Sequence, residues 1–259
     1  HELYAIRREW RVLSLIAPSQ TFDPNAMELP MSVVPDKKVS VQDIFTITGD
    51  WYADTPYDLS KGPAAGPWGN PIRFANSSKT KPDSTWERSI NMMRTCYVHI
   101  AQVRGDLPEE IRGISWFGYG ASDTTYITPL WPIMKKLPDF YNTGDRFHPY
   151  DSKSGWWVNT RVQEIAGLHY QDARKDIHAA RDEKLQPLYV LTPMVQEKAA
   201  ELIKAGKRDE AISLITDFAY ANAVDFNQRW QTLGDVLLGK YALGYVNFKT
   251  TPYPQEWND

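Results

Sequence analysis

The chain has 259 residues, 42% of them apolar and 24% charged, a composition that supports a sizeable core and excludes wholesale disorder. The net charge of −3, with acids and bases intermixed, argues against a nucleic-acid partner, and the single cysteine excludes a disulfide framework and a cysteine-rich metal site. No apolar run approaches the roughly 20 residues that cross a bilayer, so we predict no membrane partner.

The first residues, HELYAIRREW, lack an initiating Met and do not resemble a signal peptide, so we expect a processed product or a fragment. They begin a predicted helix, whose apolar residues recur at helical spacing and are followed by a proline: Ile6, Trp10, Leu13, Ala17 and Pro18. A second helix is predicted from Val41, because Ser40 and Asp43 have the spacing of a capping box with Asp replacing the usual Glu or Gln.

Residues 55–86 show no helical or strand period. Their first part, TPYDLSKGPAAGPWGNPIR, is rich in Pro and Gly, which set turns and remove backbone donors. A loop of this length without its own secondary structure is usually either functional or disordered. Its aromatic and apolar residues, which include Tyr57, Trp68 and Ile72, favour an ordered functional loop.

Three strands in antiparallel hairpins are predicted next, over residues 96–101, 113–119 and 124–130. In the first strand, apolar residues alternate with Tyr97 and His99, so neither face is polar, and we expect a sheet that is covered on both sides.

From residue 154 onward the pattern is helical. One long helix is predicted from residue 157 to about 183, and Pro187 and Pro193 are expected to break the chain before a helix over 194–204. A final helix is predicted over 209–240.

Cys96 and His99 could be proposed as a nucleophile and its base. Residues three apart in a strand face opposite sides, so we favour a buried cysteine that acts as a small hydrophobic residue. The five histidines contain no HExxH-like pair, and we predict neither a metal nor another cofactor. We interpret the acids Asp172, Asp176 and Glu183 as a solvated helix face.

Two further groups have both structural and functional interpretations. Arg7, Arg8 and Arg11 surround the apolar stripe of the first helix, so one of them can point inward, although the pattern by itself favours the surface. Five tryptophans could form a sugar-stacking platform, although core packing accounts for most of them: Trp68, Trp116, Trp131, Trp156 and Trp157. Composition and spacing therefore indicate an α+β chain with a binding loop and do not define a function.

Several segments together resemble the dipeptidases of the N-terminal-nucleophile cysteine hydrolases, the group that includes dipeptidases A and D. They are RREWRVLSLIAPS, VVPDKKVSVQDIF, TPYDLSKGPAAGPWGNPIR, ERSINMMRTCYVHIAQVRGDLPEEIRGISWFGYG, SGWWVNTRVQEIAGLHY and NQRWQTLGDVLLGKY. The third segment is the most specific of these, because it is long and compositionally unusual.

The resemblance implies part of a four-layer αββα fold of the α+β class. It implies a core over residues 1–150, which includes the 55–86 loop, and a helical region over 151–259 that packs on it. The implied activity is hydrolysis of dipeptides by a cysteine at the mature N-terminus, whose α-amino group is the base. Because this chain begins with His1 and its cysteine is internal, we expect the nucleophile to lie upstream and the chain alone to be inactive.

The resemblance also implies site residues. Arg8 heads an Arg-x-x-Arg pattern similar to that of related penicillin and bile-salt amidases, so Arg8 is the predicted catalytic arginine, with Arg7 and Arg11 as alternatives. The substrate-binding residues are predicted in the 55–86 loop, where two charged residues would contact the termini of a dipeptide: Tyr57, Asp58, Lys61, Trp68 and Asn70.

Two other functions stay open, a related amidase that acts on N-acyl amino acids and a Trp-rich, non-catalytic module that binds peptides or glycans. The expected partners are a dipeptide substrate and the missing N-terminal half of the same protein, and self-association is left open. The compartment is undecided, with an exported bacterial protein favoured over a cytoplasmic one.

Overall fold

The structure, a computed structural model, describes residues 2–73 and 87–258. The chain divides into two compact units, His1–Met93 with Pro252–Asp259, and Arg94–Thr251. The predicted boundary between residues 150 and 151 lies inside the second unit. Residues 74–86, the last part of the predicted 55–86 loop, lie outside the described residues.

The helices and strands in chain order are α1 (Glu2–Ile16), α2 (Val41–Thr48), β1 (Tyr97–Val103), β2 (Gly113–Tyr119), β3 (Thr128–Leu130), α3 (Gly155–Ala166), α4 (Tyr170–Lys204), α5 (Arg208–Tyr241), β4 (Tyr245–Val246), β5 (Lys249–Thr250) and α6 (Gln255–Asn258). The architecture is α+β, with a small antiparallel sheet and a mostly helical C-terminal region. The predicted class is therefore confirmed.

The first unit contains the two predicted helices α1 and α2. The capping box at the start of α2 is confirmed, because the Asp43 amide donates to the Ser40 hydroxyl at 3.1 Å and the Ser40 amide donates to the Asp43 carboxylate at 2.8 Å. Hydrogen bonds from Lys37 and Ser40 hold the pKa of Asp43 well below its usual value. Asp43 therefore completes this capping box, although its side chain is shorter than that of the usual Glu.

Replacing Ser40 with Ala is expected to lower the free energy of unfolding by about 1 kcal/mol. Without the Ser40 hydroxyl, the Asp43 amide in the first turn of α2 loses its hydrogen-bond acceptor. Urea denaturation of the variant measures the loss. Ser32→Ala is the matched control, since Ser32 is exposed and outside any helix. Equal midpoints for the two variants would mean that the cap contributes nothing.

The sheet in the second unit has the order β1-β2-β3, and both pairings are antiparallel. One face is buried, with Val98 and Ile100 from β1 and Trp116 from β2 each no more than 5% exposed, and the Trp116 ring lies 5.3 Å from the Tyr189 ring of α4. The other face of β1 is exposed. The predicted burial of both faces is wrong for this chain, because the residues of β1 that alternate with Val98 and Ile100 are exposed.

Cys96 precedes β1 and is exposed, so the prediction of a buried cysteine is also wrong. Its sulfur lies 3.9 Å from the carbonyl oxygen of Arg94. The described hydrogen bonds include none between Cys96 and His99.

The helical region differs from the prediction at its prolines. α4 runs without a break through Pro187 and Pro193, and the break falls instead between α3 and α4, where His169 has non-helical backbone angles. α4 packs antiparallel against α5, and this tertiary packing outweighs the local cost of the two prolines. The final predicted helix is confirmed as α5.

The connection between β2 and β3 is unusual in being both polar and buried. Residues 122–125 are at most 3% exposed, and Ser122–Thr124 form a short 3-10 turn. The third strand is shorter than predicted, because it covers only Thr128–Leu130 of residues 124–130. The Asp123 carboxylate accepts bonds from the Tyr170 hydroxyl at 2.8 Å, Arg174 Nε at 3.0 Å and His178 Nε2 at 2.9 Å. Asp123 therefore anchors this connection to α4.

The remaining predicted groups on α4 also make ion pairs. Asp172 pairs with Lys175, Asp176 with Lys240, and Glu183 with Arg229.

The described residues contain no group of three or more His, Cys, Asp or Glu side chains that could hold a metal ion. Within 2–73 and 87–258, no helix is both long and apolar enough to cross a membrane.

Candidate active site

The first unit places the three predicted arginines of α1 beside two carboxylates that are distant in sequence. We call Arg7, Arg8, Arg11, Asp50 and Glu87 the arginine cluster. Arg7 and Arg11 are one helical turn apart and therefore lie on the same face of α1. Arg8 is rotated by about 100° from Arg7 around the helix axis.

Arg11 has a structural role. Its Nε and Nη2 atoms donate to the two oxygens of Asp50 at 2.8 and 2.7 Å, and Nη2 also donates to the carbonyl of Ala53 at 2.8 Å. Asp50 accepts the amide of Tyr52 as well, at 2.7 Å. The side chains of this pair are only 13% and 11% exposed, so the bidentate pair firmly joins α1 to the segment after α2.

Arg7 is fixed by three different kinds of contact. Its Nη1 donates to Glu87 at 2.6 Å, its Nη2 donates to the Asn25 side chain at 3.1 Å, and its guanidinium carbon lies 3.8 Å from the centre of the Tyr57 ring. Burial raises the pKa of Glu87, and the charge and hydrogen bond of Arg7 oppose that rise. Arg7 is 8% exposed, so its guanidinium is held in one orientation.

Arg8 is half-buried and lies near the phenol of Tyr52. Burial and the negative charge of Glu87 raise the pKa of Tyr52, whereas the positive charges of Arg8 and Arg7 lower it. Tyr52 is fully buried, has a left-handed backbone at φ 69°, and donates its hydroxyl proton to the Arg88 carbonyl. A tyrosine rarely adopts that backbone, and such strain is typical of functional sites.

The predicted substrate-binding residues fall into two groups. Tyr57 reaches the arginine cluster, where it also contacts Trp10 edge-on at 5.8 Å and accepts the Asn25 amide at 3.2 Å. Asp58 closes a turn of its own loop by accepting the amide and hydroxyl of Ser60. Lys61 is exposed.

The later loop residues are held locally. Trp68 stacks on Tyr253 at 5.7 Å, and Asn70 accepts the Ile72 amide at 2.9 Å. Arg73 donates to the carbonyls of Leu59 and Asn70, so one half-buried guanidinium closes the loop, and this partial burial lowers the pKa of Arg73. Contacts with one another and with Tyr253 therefore hold these loop residues in place.

The sequence prediction missed four residues of this site: Asn25, Asp50, Tyr52 and Glu87. Asn25, Asp50 and Glu87 contact α1 across 18, 39 and 80 residues of chain. The Tyr52 hydroxyl donates to the Arg88 carbonyl across 36 residues. No periodic pattern or motif marks them, and only the unusual number of arginines on α1 indicated that partners were needed.

The arrangement can hold fixed cations beside aromatic rings. Such a site can bind a carboxylate or stabilise a developing negative charge, because guanidinium groups that are already oriented need not reorganise. The single cysteine of the chain, Cys96, lies in the other unit.

The tryptophans divide between core and surface. Trp116 and Trp131 are 2% exposed, so the core interpretation is confirmed for both. Trp156 and Trp157 are half-buried and contact one another edge-on at 4.6 Å.

Comparison with known proteins connects this chain to peptidases. The family model described as "Peptidase family C69" matches residues 1–183. A probable dipeptidase A of Streptococcus pyogenes serotype M18 is 23% identical over 212 residues, which cover 81% of this chain and 41% of the relative.

Dipeptidase A of Lactobacillus helveticus is 23% identical over 84% of this chain and 43% of its own length, and a probable dipeptidase B of Lactococcus lactis subsp. lactis is 25% identical over 57% and 28%. The chain thus spans less than half the length of the curated relatives it matches. Because the family model covers most of the chain, this protein belongs to peptidase family C69.

Proposed function

We propose that this chain is part of a dipeptidase that hydrolyses its substrate through the thiol of an N-terminal cysteine, located upstream in the complete protein. The family and the names of the relatives support peptide hydrolysis. The observation that carries the proposal is the arginine cluster, which fixes cationic side chains beside a Pro- and Gly-rich aromatic loop.

In this mechanism the α-amino group of the nucleophilic cysteine removes the thiol proton. Its usual pKa of about 7.7–8.0 leaves it partly neutral at working pH. The thiolate adds to the peptide carbonyl, the amine of the second amino acid leaves with a proton, and water then hydrolyses the thioester to release the first amino acid.

Arg8 is the arginine that we assign to this chemistry. The terminal nitrogens of Arg7 and Arg11 bind Asn25, Asp50 and Glu87, and we assign these two arginines the role of holding α1 in place. Arg8 would bind the substrate carbonyl or the thiolate through charge-assisted hydrogen bonds. Tyr57, Trp68 and Asn70 would shape the pocket, and Asp58 and Lys61 would contact the termini of the dipeptide.

The test is a substrate panel on the complete protein. We expect hydrolysis of several dipeptides, much slower hydrolysis of the matching tripeptides, and none of N-acyl amino acids. Faster hydrolysis of N-acyl amino acids than of dipeptides would mean that the protein is a related amidase. Residues 1–259 alone should cleave none of these substrates, and dipeptide hydrolysis by that polypeptide would refute the upstream nucleophile.

A non-catalytic glycan-binding module has less support. Trp116 and Trp131 are buried and cannot stack on a sugar. Quenching of tryptophan fluorescence by oligosaccharides, without hydrolysis of any dipeptide, would favour that function instead.

A further inference from the structure

A stacked pair of aromatic rings joins the Pro- and Gly-rich loop to a segment that is distant along the chain. The centroids of the Trp68 and Tyr253 rings are 5.7 Å apart, and the ring planes are inclined by 24°. Residues 252–259 belong to the same compact unit as the loop, although the chain reaches them directly from the second unit. The pair is therefore created by the tertiary structure and not by neighbours in the sequence.

The main chain around Trp68 is closed by its own hydrogen bonds. The Gly69 amide donates to the Gly66 carbonyl at 3.4 Å, and the Asn70 amide donates to the Ala65 carbonyl at 2.7 Å. Gly66 and Gly69 have left-handed φ angles of 65° and 59°, which glycine adopts without strain. These bonds fix the backbone of Trp68, whereas the direction of its indole depends on side-chain torsions that neighbouring groups restrict. Tyr253 is a neighbour of this kind.

The backbone of Tyr253 is restricted by a proline on each side. Pro252 and Pro254 have fixed φ angles, and a residue that precedes proline is largely confined to extended conformations. Shortly before them, the β4–β5 hairpin turns at Asn247 and Phe248, whose φ angles of 51° and 66° suit a tight two-residue turn. Tyr253 therefore gives up little conformational freedom when its ring stacks on Trp68.

The surroundings of Trp68 favour an apolar ligand group. The sequence contains no charged residue between Lys61 and Arg73. Trp68 is half-buried with the tyrosine in place, so part of it stays accessible. A large indole held in a loop without charges suits an apolar or aromatic side chain.

We propose that Tyr253 is a positioning residue that holds the Trp68 indole in place for an apolar side chain of the dipeptide. This inference rests on the proposed function, in which Trp68 shapes the substrate pocket. Tyr253 acts on substrate preference through Trp68 and does not touch the reacting atoms. Contact with a side chain remote from the peptide bond is made equally in the bound substrate and in the transition state, so its loss raises KM and leaves kcat unchanged.

Steady-state kinetics of the complete protein test this role with two dipeptides. Tyr253→Ala should raise KM for leucyl-leucine about 3–10-fold with kcat unchanged, and should raise KM for alanyl-alanine less than about 2-fold. Tyr253→Phe keeps the ring and should retain the wild-type values. Equal increases for the two dipeptides, a fall in kcat, or no change in Tyr253→Ala would overturn the proposal.

Trp257→Ala is the matched control, because it truncates another exposed aromatic side chain of the same segment. It should leave KM for leucyl-leucine unchanged. A rise as large as that of Tyr253→Ala would show that loosening of residues 252–259 in general affects the pocket, and would remove the specific role of Tyr253.

The ring contact is tested independently of catalysis by ¹⁹F NMR of the complete protein labelled with 5-fluorotryptophan. The Trp68 resonance is assigned by its absence in Trp68→Phe, and it should move in Tyr253→Ala but not in Trp257→Ala. An unmoved resonance would reject the positioning by Tyr253.

The two measurements separate failure of the inference from failure of the proposed function. A moved resonance in a protein that hydrolyses dipeptides with unchanged KM in Tyr253→Ala would reject the role of Tyr253 and preserve the dipeptidase. A moved resonance in a protein that cleaves no dipeptide would keep the ring contact but reject the proposed function, and with it the role in substrate preference.

Discussion

Replacing Arg8 with Ala in the complete protein should lower kcat/KM for dipeptides by about 10²–10³-fold, because a transition-state donor of this kind contributes about that factor. Any accompanying loss of stability should appear as a change in the free energy of unfolding. Steady-state kinetics and urea denaturation of the same preparation measure the two effects.

Three further variants make this prediction specific. Glu9→Ala is the matched control, because Glu9 is exposed on the same helix and should leave kcat/KM unchanged. Arg8→Lys should recover only part of the lost activity, since an ammonium cannot reproduce the planar fork. Arg11→Ala should instead destabilise the protein by leaving Asp50 buried without its main partner. Unchanged kinetics in Arg8→Ala would remove Arg8 from the mechanism.

Replacing Asp123 with Asn should lower the free energy of unfolding by about 1–3 kcal/mol, because buried donors lose the carboxylate that accepts their hydrogen bonds. Asp123 is 3% exposed, and its carboxylate serves Tyr170, Arg174 and His178 at once. An amide cannot accept all of these bonds, and it carries no charge to balance Arg174. Chemical denaturation at neutral pH gives the loss directly.

The control for this variant is Asp172→Asn on α4, the helix to which Asp123 is anchored. The ion pair of Asp172 with Lys175 is exposed at the lysine, so its loss should cost less than about 1 kcal/mol. Similar losses of unfolding free energy in the two variants would mean that the contacts of Asp123 stabilise the fold no more than an exposed ion pair does.

The Asp123 cluster also predicts a dependence on pH. Burial by itself would raise the pKa of Asp123, but the hydrogen bond and charge of His178, the charge of Arg174 and the hydroxyl of Tyr170 lower it below its usual value. The folded protein therefore binds this proton less readily than the unfolded chain. The resulting stability is present above the unfolded pKa of about 3.9 and is lost as the pH falls through the lower folded value.

Unfolding curves recorded from pH 6 down to about pH 2.5 should consequently show a steeper acid loss in the wild type than in Asp123→Asn. The difference between the two should shrink as the carboxylate of the wild type becomes protonated. Parallel curves over this range would show that the ionised form of Asp123 does not stabilise the fold.

Local signals were sufficient for much of the architecture. The periodicity of Ile6, Trp10 and Leu13 predicted α1, the Ser40 and Asp43 pair predicted the start of α2, and apolar spacing predicted α5. The six segments that resemble cysteine dipeptidases also pointed to the family, because a long Pro- and Gly-rich stretch is distinctive as a sequence. These features depend on residues that are close together in the chain, and a single sequence shows those residues directly.

The errors share a physical cause in long-range packing. Pro187 and Pro193 break an isolated helix, but the packing of α4 along α5 outweighs their local cost. The alternation in β1 is apolar on both faces, and only the arrangement of the helices decides that Val98 is buried and Val103 is exposed. Periodicity indicates which residues share a face, but it does not indicate what covers that face.

The sequence by itself determined the family, the α+β class, the ends of α1 and α2, and the concentration of arginines on α1. The tertiary structure decided which of those arginines are bound to carboxylates, because Asp50 and Glu87 reach them across 39 and 80 residues of chain. It also decided that Asp123 anchors α4 and that Val98 and Ile100 lie on the buried face of β1. Ion pairs and sheet edges depend on the distance between atoms in space, and separation along the chain does not fix that distance.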